Sequence, residues 1–216
     1  MVTAVPFALF ALLCRRGRAV LSDGGQEKRL SRLDILNYLS QRNNRAVMLS
    51  MFLYMASFSA LTNWTPLYME RVLGHAELRA YPLAAFWAFA AVSRFFAPRL
   101  GIHERTIVIV GIAGGAASMA LGSLTQNPWL MIVAWGLCGL LTGPGCPTLI
   151  SLGCAAYRDL SSLPTSVLVI MMYAANAVSP MIMAAVSAAA SLRESMLTGA
   201  LLGLAAAAAC LMIRKD

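Results

Sequence analysis

Apolar residues in this chain come in long unbroken runs, neither alternating with polar ones nor confined to a stripe. Six runs, at about 46–69, 80–98, 105–125, 128–152, 163–189 and 195–213, each supply close to the ~20 residues a helix needs to cross a hydrocarbon core. Short segments between them hold nearly every Lys, Arg, Asp and Glu. A soluble helix keeps polar side chains over the face it leaves in water, and these runs have no such face. The pattern predicts an all-α, polytopic membrane protein whose six transmembrane helices form a bundle over 46–213. A seventh run, Val2 to Cys14, has the right composition but only 13 residues. Arg15, Arg16 and Arg18 follow it where a signal peptide would have small residues for cleavage. We read 1–14 as a partial transmembrane helix whose beginning is missing, 15–45 as a basic loop and 214–216 as a tail. Met1 is then an internal start or the edge of a truncated gene model.

Local signals mark several helix ends. Asn127-Pro128 is an N-cap followed by proline at the first helical position. Ser191-Leu-Arg-Glu194 has capping-box spacing and opens the last span, which gives Glu194 a structural task. Ser31-Arg-Leu-Asp34 starts a helix inside the basic loop, with Leu30 and Ile35 at the hydrophobic-staple positions. That predicts a short amphipathic helix at about 31–42, lying on the membrane surface. The pairs Gly111/Gly115, Gly139/Gly143 and Gly199/Gly203 have the spacing that lets helix backbones approach closely.

Charge supplies orientation. Seventeen bases against nine acids give +8 in 216 residues, with 12% charged, 59% apolar and a mean hydropathy of +0.71. A soluble domain carries about 25% charged residues, so a soluble enzyme, a nucleic-acid binder and a disordered tail are excluded. Counting alternate loops places fourteen of the bases on one side and three on the other. The side with fourteen is the cytoplasm, and the C-terminus lies there. Anionic lipid headgroups suffice as partners for this charge, and no nucleic acid is implied.

Little of the usual catalytic chemistry is in place. The cysteines (14, 138, 146, 154 and 210) fall within or at the edge of apolar runs without CxxC spacing, and His75 and His103 lie in loops, so neither a metal nor a cofactor is expected. No Asp or Glu falls inside a run, which removes the common intramembrane proton carriers. Paired aspartates, or Ser with His, are likewise absent from the runs, and the chain is not expected to be an enzyme.

What remains is interrupted backbone with a few polar side chains at membrane depth. Proline removes the hydrogen bond to the carbonyl four residues earlier. Pro180 frees the carbonyl of Asn176 near mid-helix, and Tyr173, Asn176 and Pro180 share one helical face. Gly143-Pro-Gly-Cys-Pro147 interrupts the fourth run more strongly. Such backbone is tolerated in a bilayer only against protein or a cavity. Two readings stay open: Tyr173 and Asn176 touch a solute, or the prolines are packing kinks, with Pro144, Pro147 and Pro180 as hinges. Asn63 and Trp64, with Tyr68, lie in the outer part of the first complete run. They are either an interfacial aromatic belt or a stacking platform for a sugar-like ligand. Arg94, at the inner end of the second run, either snorkels to water or makes a gate contact to a neighbouring helix end.

The order of these features resembles the C-terminal half of a major facilitator superfamily transporter, closest to the fucose-permease-like branch. The resemblance rests on the Trp64-Thr-Pro-Leu-Tyr68 exit, on Ser93-Arg94 before a basic loop, on Gly143 to Gly153 with its Pro-Thr-x-x-x-Leu-Gly stretch, and on Val167 to Pro180. Family members often carry Gly-Arg where this chain has Ser93-Arg94, and a glycine-rich step where it has Ala174-Ala175-Asn176-Ala177. The resemblance implies twelve helices in two six-helix bundles, a small, sugar-like solute between them, and secondary transport by rocking-type alternating access. Residues 1–45 then correspond to the end of a sixth helix and the central loop. The partner for the bundle would be a missing N-terminal half or a second copy. A non-transporting scaffold, a sensor or an inactive remnant is the alternative.

Overall fold

The computed structural model describes residues 31–155, 157 and 162–213. The partial span 1–14, the loop up to residue 30, Arg158 and the tail 214–216 lie outside the described residues. Among the described residues eight α-helices follow in order: α1 (Arg32–Ser40), α2 (Arg42–Arg71), α3 (Tyr81–Phe96), α4 (Glu104–Leu124), α5 (Pro128–Thr142), α6 (Gly145–Cys154), α7 (Ser162–Ala189) and α8 (Leu192–Leu211). Single 3₁₀ turns, Ala76–Leu78 and Ala97–Arg99, extend α3 at both ends, and α5 with α6 makes one crossing in two pieces. Six spans result among the described residues, each long and apolar enough to cross a membrane. They form an all-helical transmembrane bundle.

The caps explain where these helices start. Ser31 accepts from Leu33 N–H, and Asp34 returns the bond to Ser31 N–H at 3.0 Å, which fixes the start of α1. Asn127 Oδ1 accepts from Trp129 N–H at 2.9 Å ahead of α5, and Ser191 Oγ from Glu194 N–H at 3.2 Å ahead of α8. α1 ends at Ser40, and α2 starts at Arg42 rather than near 46, with only extended Gln41 between them.

α2 is the hub. It packs against α8 and α7, while α4 packs against α8 and α5, and α3 leans mainly on α5. The glycine pairs sit at these crossings. A Cβ on Gly139 would strike the Phe86 backbone, one on Gly143 would meet Ser93 Oγ and the Ala90 backbone, and one on Gly111 would meet the Leu141 carbonyl. Gly199 and Gly203 abut Met119, Ala60, Ala116 and Ser57 in the same way. In lipid there is no hydrophobic force between helices, so close backbone approach and interhelical hydrogen bonds hold the bundle. Ser179 Oγ donates to the Ala56 carbonyl at 2.7 Å, Tyr68 hydroxyl to the Ser123 carbonyl at 2.6 Å, and Trp135 Nε1 to Thr65 Oγ1 at 2.8 Å. α3 and α7 remain the least covered spans.

Candidate functional site

The fourth crossing breaks where its sequence loses helix-forming bonds. Gly143 and Pro144 separate α5 from α6, and Pro147 sits in the first turn of α6. Pro147 has no N–H, so the Gly143 carbonyl four residues before it loses its helical donor. Arg94 supplies the replacement: its Nε donates to the Gly143 carbonyl at 2.8 Å. One residue earlier, the buried Tyr54 of α2 donates its hydroxyl to the Thr142 carbonyl at 2.9 Å. Two side chains from two other helices therefore hold consecutive carbonyls at the broken end of α5. The guanidinium also sits where the negative end of the α5 dipole attracts a cation. Thr148 Oγ1 takes the Pro144 carbonyl at 2.8 Å and closes the first turn of α6 from within.

Arg94 is exposed in the bundle, at the rim of a groove of about 600 Å³ between the end of α3, the start of α4 and α6. Pro144, Pro147, Thr148, Ser151 and Glu104 line that groove with it. Ser151 Oγ donates to Glu104 Oε1 at 3.1 Å, so the groove holds a carboxylate as well as a guanidinium. Tyr54 and Glu104 were not marked by the sequence pattern. A hydroxyl in mid-run facing a segment rich in freed carbonyls was the available signal for Tyr54.

Pro180 behaves differently from Pro144. α7 runs unbroken through it, from Ser162 to Ala189. Tyr173 is 65% exposed and Asn176 is exposed too, while Ser179, about 60° round the helix from Asn176, is fully buried on α2. The structure brings Tyr173 and Asn176 to one open face of α7.

Asn63 and Trp64 are at another depth. The first and fifth of six successive crossings, α2 and α7, run in the same direction, and the Ser179–Ala56 bond sets their register. Asn63 lies seven residues beyond Ala56, and Asn176 three before Ser179. At 1.5 Å per residue the two amides are about 15 Å apart along the bundle. Asn63 is exposed and donates to Ser59 Oγ at 3.0 Å. Trp64 has a buried indole N–H without a partner among the described residues. It lines a groove of about 550 Å³ with Arg71 and with Ser187 of α7.

A family model described as Major Facilitator Superfamily matches residues 1–180. No curated protein matches the chain.

Proposed function

The chain belongs to the major facilitator superfamily, a family of membrane transporters, and from that premise we propose that it serves secondary active transport of a small, sugar-like solute by alternating access. The open face of α7 carries the reading. Tyr173 and Asn176 point away from their own bundle, and an amide left unpaired in a membrane costs on the order of 1–3 kcal/mol. That face therefore turns towards a cavity closed by a second six-helix bundle, from a missing N-terminal half or a second copy. A polyhydroxylated solute offers the several donors and acceptors such a face needs in a mostly apolar cavity. Asn63 and Trp64, about 15 Å further along, belong to the outer part of the solute's path, and the break at Pro144 with Arg94, at about the depth of Asn176, is its hinge.

The end carrying α1 lies on the cytoplasmic side of the plasma (cell inner) membrane, together with the C-terminus. Arg32, Arg42, Arg45, Arg94, Arg99 and Arg105 are at this end, against Arg71, Arg79 and Arg193 at the other. The test is Asn176→Ala in the chain paired with its complementary bundle. Solute binding should fall about tenfold, the equivalent of 1.4 kcal/mol, with folding and insertion intact. Unchanged binding removes Asn176 from the solute path.

A further inference from the structure

The four tryptophans occupy unlike places. Trp129 is 62% exposed in the first turn of α5, at the end of a span, where tryptophan belts meet the membrane interface. Trp135 is fully buried and gives its N–H to Thr65, and the N–H of Trp64 is buried too. Trp87 fits none of these places. It lies at the middle of the span Ala76–Arg99, is 46% exposed, and its indole N–H makes no hydrogen bond among the described residues. Tyr68, read from the sequence as part of a stacking platform with Trp64, is fully buried with its hydroxyl on the Ser123 carbonyl and offers no ring to a solute.

Two rings hold the indole of Trp87 in place. Its centroid is 5.5 Å from that of Phe58 on α2, at 81°, and 5.5 Å from that of Phe86, at 86°. Phe58 and Phe86 are themselves 5.6 Å apart, so the three rings close a triangle of the tilted and edge-on pairs that aromatic quadrupoles favour. The backbone at Phe86 is fixed in turn against Gly139, where no side chain fits between. Little side-chain freedom is therefore lost when a ligand meets this indole. Phe58 lies two residues beyond Ala56, and Asn176 three before Ser179. At 1.5 Å per residue the level of the ring triangle and that of Asn176 are roughly 8 Å apart along the bundle. Trp87 is displaced from Asn176 towards the level of Asn63.

We propose that Trp87 is a solute-binding residue whose indole stacks on the apolar face of a sugar ring, while Asn176 and Tyr173 bond hydroxyls at the ring's rim. The proposal rests on the reading of the α7 face as part of the solute path, and it narrows the solute to a cyclic sugar. A pyranose collects C–H groups on one face and hydroxyls around its edge, so an indole can shed water against the face and donate its N–H to an oxygen of the rim. An open-chain polyol spreads the same hydroxyls along a chain and has no such face to stack. Acyl chains are the rival occupant. They would cover the ring but leave its N–H without an acceptor at the centre of the membrane, which is costly.

The test uses proteoliposomes holding the assembled transporter, with D-glucose, D-galactose and L-fucose as cyclic probes and D-glucitol and galactitol as open-chain ones. Trp87→Leu should weaken binding of the best-bound sugar about tenfold, whereas Trp87→Phe, which keeps a ring and loses the N–H, should cost about threefold. The alditols should bind more weakly than the sugars and be indifferent to Trp87→Leu. Sugar binding unchanged in Trp87→Leu but weakened in Asn176→Ala overturns the stacking contact and leaves the solute path standing. No binding of any of the sugars by the unaltered protein overturns both. Trp87→Cys, with the native cysteines replaced by alanine, reads the surroundings of this position without a solute. A charged methanethiosulfonate reacts with the thiolate, which needs water to form, so it should label residue 87, and bound sugar should slow the labelling. A thiol at 87 that the reagent does not reach lies in lipid and overturns the proposal.

Discussion

Shortening Arg94 to alanine removes one of the two side chains that hold the broken end of α5. A hydrogen bond to a charged group is worth about 1.5–3 kcal/mol, but Arg94 is exposed and partly screened, so the lower end, about 1–1.5 kcal/mol, applies. Tyr54→Phe removes the bond to Thr142 in a fully packed place, for about 1 kcal/mol. The two accept points are adjacent carbonyls, so their effects should couple in the double variant. If the break bends during the cycle, both bonds are made in one state and strained or lost in another. A difference of 1.4 kcal/mol moves such an equilibrium about tenfold. Arg94→Ala should therefore slow maximal transport several-fold in proteoliposomes holding the assembled transporter, with solute affinity nearly unchanged. Arg94→Lys, which keeps a donor and a charge within reach of the α5 end, should recover part of the rate. A large loss of affinity at a normal maximal rate would refute the reasoning, because it would put Arg94 on the solute and not on the hinge.

Two further outcomes follow from packing and from titration. Gly139→Ala should destabilise the bundle by about 1–3 kcal/mol in a thermal unfolding assay in detergent, because the new methyl meets the Phe86 backbone, which cannot step aside; Gly114→Ala, which meets only the flexible end of Leu141, should be close to neutral. Burial, with smaller contributions from Cys154 and Tyr157, pushes the Tyr38 phenol up from its ordinary value near 10 to about 12. The folded state thus holds this proton more tightly than the unfolded one, so α1 docking is intact below pH 10 and weakens as pH rises towards 12. Tyrosinate absorbance, compared with Tyr38→Phe, should show one group ionising in that window, and a Tyr38 midpoint near 10 would contradict its burial.

The six spans were legible because a bilayer asks for one thing the sequence displays directly, an apolar run of sufficient length. The run at 128–152 became Pro128–Cys154, and its Asn127 cap formed as its type and position required. Glycine spacing was legible for a similar reason, since only a missing side chain lets Gly139 meet the Phe86 backbone. The prolines were harder to rank. Pro144 stands between two glycines with Pro147 three residues on, and there the helix divides. Pro180 removes a single bond in a run of alanine, methionine and isoleucine, and α7 continues through it.

Partners across the bundle were not legible, because they depend on register between helices far apart in sequence. Arg94 and Gly143 are 49 residues apart, and Tyr54 and Thr142 are 88 apart. Helical periodicity could place Tyr173 and Asn176 on one face, but it could not say that Asn63 lies about 15 Å from them along the bundle axis. That distance follows from one hydroxyl, Ser179, bonded to the Ala56 carbonyl. It also changes what the polar residues can do. Four side chains at one depth would make a single pocket, whereas two pairs at separate depths suit successive contacts along a path. Tyr54, which bonds the stitched break of α5, lies two residues before Ala56 and Asn176 three before Ser179, so the break is at about the depth of Asn176. In the proposed orientation, a solute entering past Trp64 would reach Asn176 and that break at about the same depth, so bending at the break would act where the solute is held.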